Sequence, residues 1–227
     1  MEKYNLTFSP LYARIETGYL VGVIMVRERD CSMDIVDFEV NASALAGALA
    51  GLDRNTYRHS QRVQRLAVMI GKIMGLTQGE LTTLSLGSLL HDVGKKYVPR
   101  EILLKETTLA QEEWEVIELH PVYGWEYANA VNLGQVTQEI ILHHHLWFDG
   151  QGGYPGHEEP VCPSLLAQIT TVADVVDAMT QDRPYRRALS METSLDYLQE
   201  KSGSQFGPDV VEIVIQNLAE IVSVMNV

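Results

Sequence analysis

The sequence is poor in cysteine. Its 227 residues include only two, Cys31 and Cys162, and these form no closely spaced pair. A disulfide framework needs an even set of cysteines at characteristic spacings, so this content argues against one. It is typical of a protein from a reducing compartment, and we predict a cytoplasmic location.

Positive charge is also scarce. Lys and Arg number 17 against 30 Asp and Glu, which gives a formal net charge of −13. Phosphate backbones are bound through Lys and Arg, so this balance argues against a polymeric nucleic-acid partner. A small phosphate ligand stays compatible with it, because such a ligand needs only a few local cations or metal ions.

The sequence has no apolar run long enough to cross a bilayer. The longest early run, residues 20–26, is far below the ~20 residues that a membrane helix needs. The N-terminus also lacks a basic region followed by an apolar stretch and a small-residue cleavage site. We therefore expect no membrane partner. Because residues 20–26 are rich in β-branched side chains, we interpret them as a buried strand, with a short core helix as the alternative.

From about residue 42 onward, helical patterns dominate. Val63, Ala67 and Ile70 recur at helical spacing, and Gly75 follows as a stop signal. Thr77 and Glu80 fit a capping box at the start of the next helix. Further helices are predicted from residue 108 to about residue 120, over 136–145 and 164–179, and from residues 190 and 208. We predict an all-α domain over residues 41–227, preceded by a cap or dimerisation element in residues 1–40.

The strongest local signal is the pair His91-Asp92 at the end of an apolar helix, followed by Val93-Gly94-Lys95. Both side chains are costly to bury without partners, and a bound metal ion would remove that cost. Imidazole nitrogen and carboxylate oxygen suit Fe, Mn, Zn or Ni. Lys95 then places an ammonium group near the site, where it could hold a phosphate.

Other histidines fall on helix cores or helix ends. His59 lies four residues before Val63 and therefore points inward, although a core histidine with a hydrogen-bond partner is the ordinary alternative. His120 precedes Pro121, and its alternative is a C-terminal histidine that interacts with the helix dipole. Adjacent helical residues point about 100° apart, so two of the run at 143–145 can reach one ion.

Two aspartates complete the pattern. Asp174 lies inside the apolar stretch 169–179, where an unpaired carboxylate is expensive. Asp177 follows three residues later on the same helix face and is a candidate hydrogen-bond partner for a ligand. A shared metal cluster explains the buried polar residues together, whereas the separate alternatives do not.

In this order, His59, His91-Asp92, His120, His144-His145 and Asp174 resemble the HD-GYP subfamily of the HD metal-dependent phosphohydrolases. The resemblance runs from about residue 53 to residue 211. It includes these motifs: His59-Ser60-Gln61-Arg62-Val63, His91-Asp92-Val93-Gly94-Lys95, His120-Pro121, Asp149-Gly150, Gly153-Tyr154-Pro155, Val172-Ala173-Asp174 and Arg183-Pro184-Tyr185-Arg186.

The resemblance implies an all-α HD-domain bundle around two divalent transition-metal ions, Fe or Mn first, with Zn or Ni as alternatives. It assigns His59, His91, Asp92 and Asp174 to one ion and His120, His144 and His145 to the other, with Asp92 bridging both. Asp92 and Lys95 would be the catalytic residues.

The same resemblance implies substrate contacts. Lys95, Arg183 and Arg186 would hold phosphates, although a solvated basic turn is the alternative for the two arginines. Gly153, Tyr154 and Pro155 would lie against a guanine base, and packing of Tyr154 on the core is its alternative.

The sequence departs from the family pattern at four places. Leu146 stands where the family has Glu, and the Gly-Tyr-Pro loop carries one extra Gly. A late Phe-Asp-Pro motif is Phe206-Gly207-Pro208 here. Asn55 stands where some relatives place a Glu for a third metal, which favours a two-metal site.

The implied function is a phosphodiesterase of bacterial signalling. It would hydrolyse cyclic di-GMP to linear pGpG, with further hydrolysis to GMP left open, by means of a water activated between the two ions. The alternatives are a hydrolase of another cyclic dinucleotide or nucleotide, and a non-catalytic cyclic-dinucleotide receptor. A homodimer and a signalling partner protein are both compatible with the sequence.

Overall fold

The N-terminal part of the chain contains a short hairpin. The computed structural model describes the backbone of residues 11–14 and 20–23, together with residues 47–157, 159–182 and 187–225. Strand β1, Leu11–Arg14, pairs antiparallel with β2, Leu20–Val23, and Leu11 lies opposite Val23. The strand interpretation of residues 20–26 thus agrees with the structure over Leu20–Val23, and residues 24–26 lie outside the described residues.

The chain divides into two units, Met1–Gly51 and Leu52–Val227. The second unit is helical, and the prediction of an all-α fold is confirmed. Its helices are α1 Arg54–Ile73, α2 Gln78–Leu90, a 3-10 helix Val93–Tyr97, α3 Arg100–Leu103, α4 Gln111–Ile117, α5 His120–Ala130, α6 Gln135–His143, α7 Leu165–Thr180, α8 Met191–Glu200, α9 Pro208–Gln216 and α10 Leu218–Met225. Within the described part of the chain, no helix is both long and apolar enough to cross a bilayer.

Side-chain caps fix the starts of several helices. Thr77 and Glu80 form the predicted capping box at α2, and the Ser164 hydroxyl accepts from the Ala167 amide at the start of α7. Each cap satisfies an amide that has no partner within the helix. Beyond α1, Gly75 has φ +78°, a left-handed conformation that favours glycine.

One predicted helix is wrong in its bounds. The segment expected to run as a single helix from residue 108 to about residue 120 consists of α4, which ends at Ile117, and α5, which begins at His120. Pro121 lies in the first turn of α5, where the missing N–H costs nothing because that amide has no helical partner. His120 therefore starts a helix, and its interpretation as a C-terminal histidine is wrong.

The core lies between α1 and α7, which pack against each other. Val63, Leu66 and Ile70 from α1 are buried in one cluster with Val172 and other apolar residues of α7, α8 and α9. Burying one such side chain contributes about 1.5–3 kcal/mol. α1 and α7 thus lie side by side, α2 packs against both, and α6 packs against α2 and α7.

Candidate metal centre

His91 and Asp92 lie where α2 ends. His91 follows the last residue of α2, and Asp92 leads into the 3-10 helix. Both side chains are buried. The turn packs so tightly on α5 that a Cβ atom at Gly94 would overlap the carbonyl oxygen of His120. This glycine therefore brings the start of α5 next to Asp92.

Three of the buried histidines have one ring nitrogen fixed by a nearby backbone carbonyl group. Nδ1 of His91 lies 2.7 Å from the carbonyl oxygen of Ser88, three residues earlier. Nδ1 of His120 and Nδ1 of His144 each lie 2.8 Å from a carbonyl oxygen with the same offset. A carbonyl oxygen only accepts hydrogen bonds, so Nδ1 carries the hydrogen and Nε2 keeps its lone pair.

His59 is oriented differently. Its Nδ1 lies 2.7 Å from Oδ2 of Asp177, so a side chain rather than the backbone sets its ring orientation. Asp177 also accepts from Nε and Nη2 of Arg62, at 2.6 and 2.9 Å. The predicted pairing of Asp177 with a candidate ligand is thus present in the geometry.

The free ends of the seven candidate ligands converge on two neighbouring points. In one group, Nε2 of His59 lies 3.0 Å from Oδ1 of Asp174, and His91 completes the set. In the other group, Nε2 of His120 lies 3.2 Å from Nε2 of His144, and His145 and Asp92 complete the set.

The Asp92 carboxylate lies between these groups. Its Oδ1 is 3.2 Å from Nε2 of His120. Its Oδ2 is 3.4 Å from Nε2 of His91 and 3.7 Å from Nε2 of His59. One carboxylate oxygen therefore faces each histidine group, which is the arrangement that a bridging ligand requires.

The arrangement fits metal ions. Nε2 of His91 and Oδ1 of Asp92 are buried, and neither has a hydrogen-bond partner among the described residues. The Nε2 atoms of His120 and His144 face each other, and Nε2 of His120 also faces Oδ1 of Asp92. Buried acceptors that face acceptors are unfavourable unless a cation lies between them. Nitrogen and carboxylate donors of this kind suit a divalent transition metal.

In the group of His120, His144 and His145, the electrostatics favour the protonation states that bind metals. Burial and the neighbouring His120 lower the pKa of His145 to about 3. Burial also lowers the pKa of His120 and, with His145, that of His144. Burial alone would raise the pKa of the Asp92 carboxyl, but Lys95 and His91 hold it well below its usual value. Neutral imidazoles and ionised carboxylates are the forms that bind metals. His59 differs: burial lowers its pKa, but its hydrogen bonds to Asp174 and Asp177 outweigh burial and raise the pKa to about 9, so metal binding there would release a proton.

Lys95 reaches the same carboxylate. Its Nζ lies 2.6 Å from Oδ2 of Asp92, and its side chain is 24% exposed. An ammonium group cannot ligate a metal while protonated. It can hold a negatively charged group beside the centre.

The glycine-rich loop folds back on the second group. Leu146 pairs with Gly153, and a Cβ atom at Gly153 would overlap the carbonyl oxygen of His145. The loop thereby brings the ring of Tyr154 to 4.4 Å from that of His145, measured between ring centroids. Leu146, which replaces the family's Glu, is buried. Tyr154 is thus in contact with a candidate ligand and sits at the edge of the centre.

Some predicted residues are not brought to the centre. His143, the first of the three adjacent histidines, has its Nδ1 3.5 Å from Glu139 and its ring beside that of His157. Arg183 and Arg186 lie outside the described residues. Pro155 follows Tyr154 and is partly buried.

Sequence reasoning missed two supporting residues. Arg62 binds Asp177, as described above, and the Thr171 hydroxyl donates to the carbonyl oxygen of His144 at 2.7 Å. Both could have been found from the sequence, because Arg62 lies three residues after His59 and Thr171 lies three residues before Asp174. Spacing of three places side chains on one helix face.

The comparisons with known proteins agree with this geometry. Residues 45–210 match the HD domain family. The chain belongs to the HD domain family. The HD domain is metal-dependent, and in this chain its histidines and aspartates form the clusters described above. The resemblance to HD phosphohydrolases is confirmed.

Two curated relatives are similar in sequence to this chain. The cyclic di-GMP phosphodiesterase response regulator RpfG of Xanthomonas campestris is 33% identical over 181 residues, which cover 79% of this chain and 48% of the relative. The 3′3′-cGAMP-specific phosphodiesterase 2 of Vibrio cholerae is 32% identical over 203 residues, which cover 88% and 38%. The chain thus spans less than half the length of these relatives.

A solved structure shares the fold. The HD domain of the phosphodiesterase PgpH from L. monocytogenes, in complex with cyclic-di-AMP, matches with a TM-score of 0.58 at 16% sequence identity. The match covers 79% of this chain and 95% of that structure. At this identity the likeness shows the fold.

Proposed function

We propose that this chain is a metal-dependent phosphodiesterase of the HD-GYP type that hydrolyses cyclic di-GMP to linear pGpG. The observation that carries the proposal is the Asp92 carboxylate, whose two oxygens face two separate groups of buried histidines. The names of the curated relatives support the substrate class, since they act on cyclic dinucleotides.

The proposed cofactor is a pair of divalent transition-metal ions, with Fe or Mn first and Zn or Ni as alternatives. His59, His91 and Asp174 would hold one ion, His120, His144 and His145 the other, and Asp92 would contact both. When bound, such ions lower the pKa of a water molecule and offset charge that develops on a phosphate.

The chain's own residues supply the remaining chemistry. The Lys95 ammonium would bind a nonbridging phosphate oxygen, because it lies beside Asp92 and cannot itself act as a ligand. Tyr154 would stack on a guanine base from its position against His145. Gly153 and Pro155 would shape that contact, and Arg183 and Arg186 would hold the second phosphate by bidentate contacts.

A second substrate has support of its own. One relative is named as specific for 3′3′-cGAMP, and the fold is shared with an HD domain solved with cyclic-di-AMP. The extra glycine belongs to the Gly-Tyr-Pro loop that is proposed to contact the base, so it could alter base selection. Hydrolysis of a different cyclic dinucleotide is therefore the alternative, and a non-catalytic receptor is the other.

Three further proposals concern the setting of the domain. The cysteine content favours a cytoplasmic location. Residues 1–40 would form a cap or dimerisation element beside a domain over residues 41–227. A homodimer and a signalling partner are both compatible with such an element.

The test is a turnover assay on protein prepared with Mn²⁺ or Fe²⁺ under reducing, oxygen-free conditions. Cyclic di-GMP, 3′3′-cGAMP and cyclic-di-AMP are compared as substrates, and products are separated by chromatography. We expect fastest conversion of cyclic di-GMP. Tight binding without conversion of any of the three would favour the non-catalytic receptor. Faster conversion of another cyclic dinucleotide would make that dinucleotide, rather than cyclic di-GMP, the substrate.

A further inference from the structure

The orientation of His59 depends on a side chain that is far away in the sequence, unlike the orientations of His91, His120 and His144. Nδ1 of His91, His120 and His144 is held by a backbone carbonyl oxygen only three residues earlier in the sequence. His59 lies within α1, where the carbonyl oxygens are taken up by helical hydrogen bonds. Its Nδ1 contacts Asp177 of α7, 118 residues away in sequence.

Asp177 is in turn held by Arg62. Nε and Nη2 of the guanidinium donate to the two carboxylate oxygens at 2.6 and 2.9 Å, a bidentate geometry that fixes the plane of the carboxylate. The Asp177 side chain is 2% exposed, whereas that of Arg62 is 25% exposed. The arginine thus closes the buried pair from the solvent side, and it provides the charge that the buried carboxylate needs.

We infer that Arg62, acting through Asp177, is a positioning residue that holds His59 in the ring orientation and tautomer required to bind one of the two metal ions. This inference rests on the proposed function. Because Asp177 only accepts, Nδ1 of His59 carries a hydrogen, and Nε2 faces Asp174 at 3.0 Å and Asp92 at 3.7 Å. A metal ion held by Nε2 would take the place of a proton on that nitrogen. Outer hydrogen bonds of this kind set ring orientation and ligand basicity.

The two histidine groups of the centre differ in what orients their rings. His120 and His144 take their orientation from the carbonyl oxygens of Ile117 in α4 and Ile141 in α6. Neither has a hydrogen bond to the Arg62–Asp177 pair among those described. Weakening this pair should therefore lower affinity for the ion near His59 and spare the ion near His120. Loss of an outer hydrogen bond typically lowers metal affinity about 10–100-fold.

The test compares Arg62→Met, Arg62→Lys and Asp177→Asn with Arg65→Met in the full chain. Arg65 is an exposed arginine on the same helix, three residues away, and serves as the matched control. Mn²⁺ binding is followed by electron paramagnetic resonance of free Mn²⁺ and by metal analysis after desalting. Circular dichroism of the metal-free variants verifies folding.

We expect wild type and Arg65→Met to bind two ions, and Arg62→Met and Asp177→Asn to lose about 10–100-fold in affinity for one ion only. Arg62→Lys keeps the charge but cannot donate two parallel hydrogen bonds to the carboxylate, so its loss of affinity should be smaller than that of Arg62→Met. Equal weakening of both sites in folded Arg62→Met, or no weakening, would overturn the inference.

Failure of the proposed function gives a different pattern. If wild type binds two ions and Arg62→Met loses one, but no cyclic dinucleotide is hydrolysed, the inference stands and the function does not. If folded wild type binds no Mn²⁺, the inference falls with the metal centre. Asp177→Asn, which keeps the size of the side chain, provides an independent result should Arg62→Met not fold.

Discussion

Nζ of Lys95 lies 2.6 Å from Oδ2 of Asp92, so the lysine that follows the His-Asp pair is in direct contact with the carboxylate that joins the two histidine groups. This contact places a cation beside the centre without using a ligand position. It motivates the first prediction.

Lys95→Met should leave metal content unchanged and lower turnover of cyclic di-GMP by about 10²–10³-fold, the usual effect of removing one group that stabilises developing charge. Metal analysis and steady-state kinetics on the same preparation measure the two effects. Lys96→Met is the control, because Nζ of Lys96 lies over the ring of Tyr127 rather than on a carboxylate. Unchanged kinetics in Lys95→Met would make Lys95 a surface lysine without a role in the reaction.

Asp92→Asn should abolish activity and the binding of both ions. The substitution keeps the size of the side chain but removes its charge, and its oxygens face both groups. Asp174→Asn is the matched comparison, since Asp174 belongs only to the group of His59 and His91. Asp174→Asn should lose the binding of one ion and keep the other. Retention of both ions by Asp92→Asn would refute the bridging role.

Gly94→Ala should destabilise the protein by about 3 kcal/mol, the upper part of the usual range for overpacking. The new Cβ atom would overlap main-chain atoms of His120 and Gly124, which cannot move aside as a flexible side chain can. The shift should also weaken the metal site that includes His120. Urea unfolding and metal analysis measure both effects.

Gly79→Ala is the control for this change, because a Cβ atom there meets nothing within 4 Å. Alanine also costs less conformational entropy than glycine in a helix, so this variant should be neutral or slightly stabilised. Equal stability of the two variants would mean that α5 adjusts to the added methyl group without strain.

Sequence reasoning predicted much of this molecule where the signal is local. The capping box of Thr77 and Glu80 is contained in a few adjacent residues, and the structure has it. Pro121 was misinterpreted because proline follows helix ends and also occupies helix starts. Only tertiary packing of α4 and α5 decides between the two.

Contacts between residues that are far apart in the sequence were harder to predict from the sequence. The run at 143–145 indicated that two histidines could share an ion, but which two depends on where α6 ends against its neighbours. Thr171 contacts His144, and Arg62 contacts Asp177 115 residues away. A hydrophobic pattern specifies the inward face of a helix and leaves open which residue it meets there.

Gly152→Ala should raise KM for the cyclic dinucleotide with little change in metal content. A Cβ atom at Gly152 would lie 2.6 Å from the indole ring of Trp147, so the loop that carries Tyr154 would have to shift. Gly156→Ala is the control, because that position is exposed and meets nothing within 4 Å. Kinetics and metal analysis decide, and equal KM values for the two variants would contradict a role of the loop geometry in substrate binding.

The last prediction concerns the product of the proposed reaction. Asn55 lies one helical turn before His59 in α1 and is exposed, at the position where some HD-GYP relatives have a Glu that binds a third metal. A neutral amide is a poorer ligand for a hard cation than a carboxylate. With two ions, the ring of cyclic di-GMP should open faster than the flexible linear product is cut, because that product must bind again and reorient. We therefore expect pGpG to accumulate before GMP appears, which a chromatographic time course measures. Asn55→Glu should raise the metal content or speed the second cut, while Asn55→Gln, equal in length but uncharged, should do neither. If GMP forms without a lag in the wild type, or if Asn55→Glu behaves like Asn55→Gln, position 55 is not part of the site.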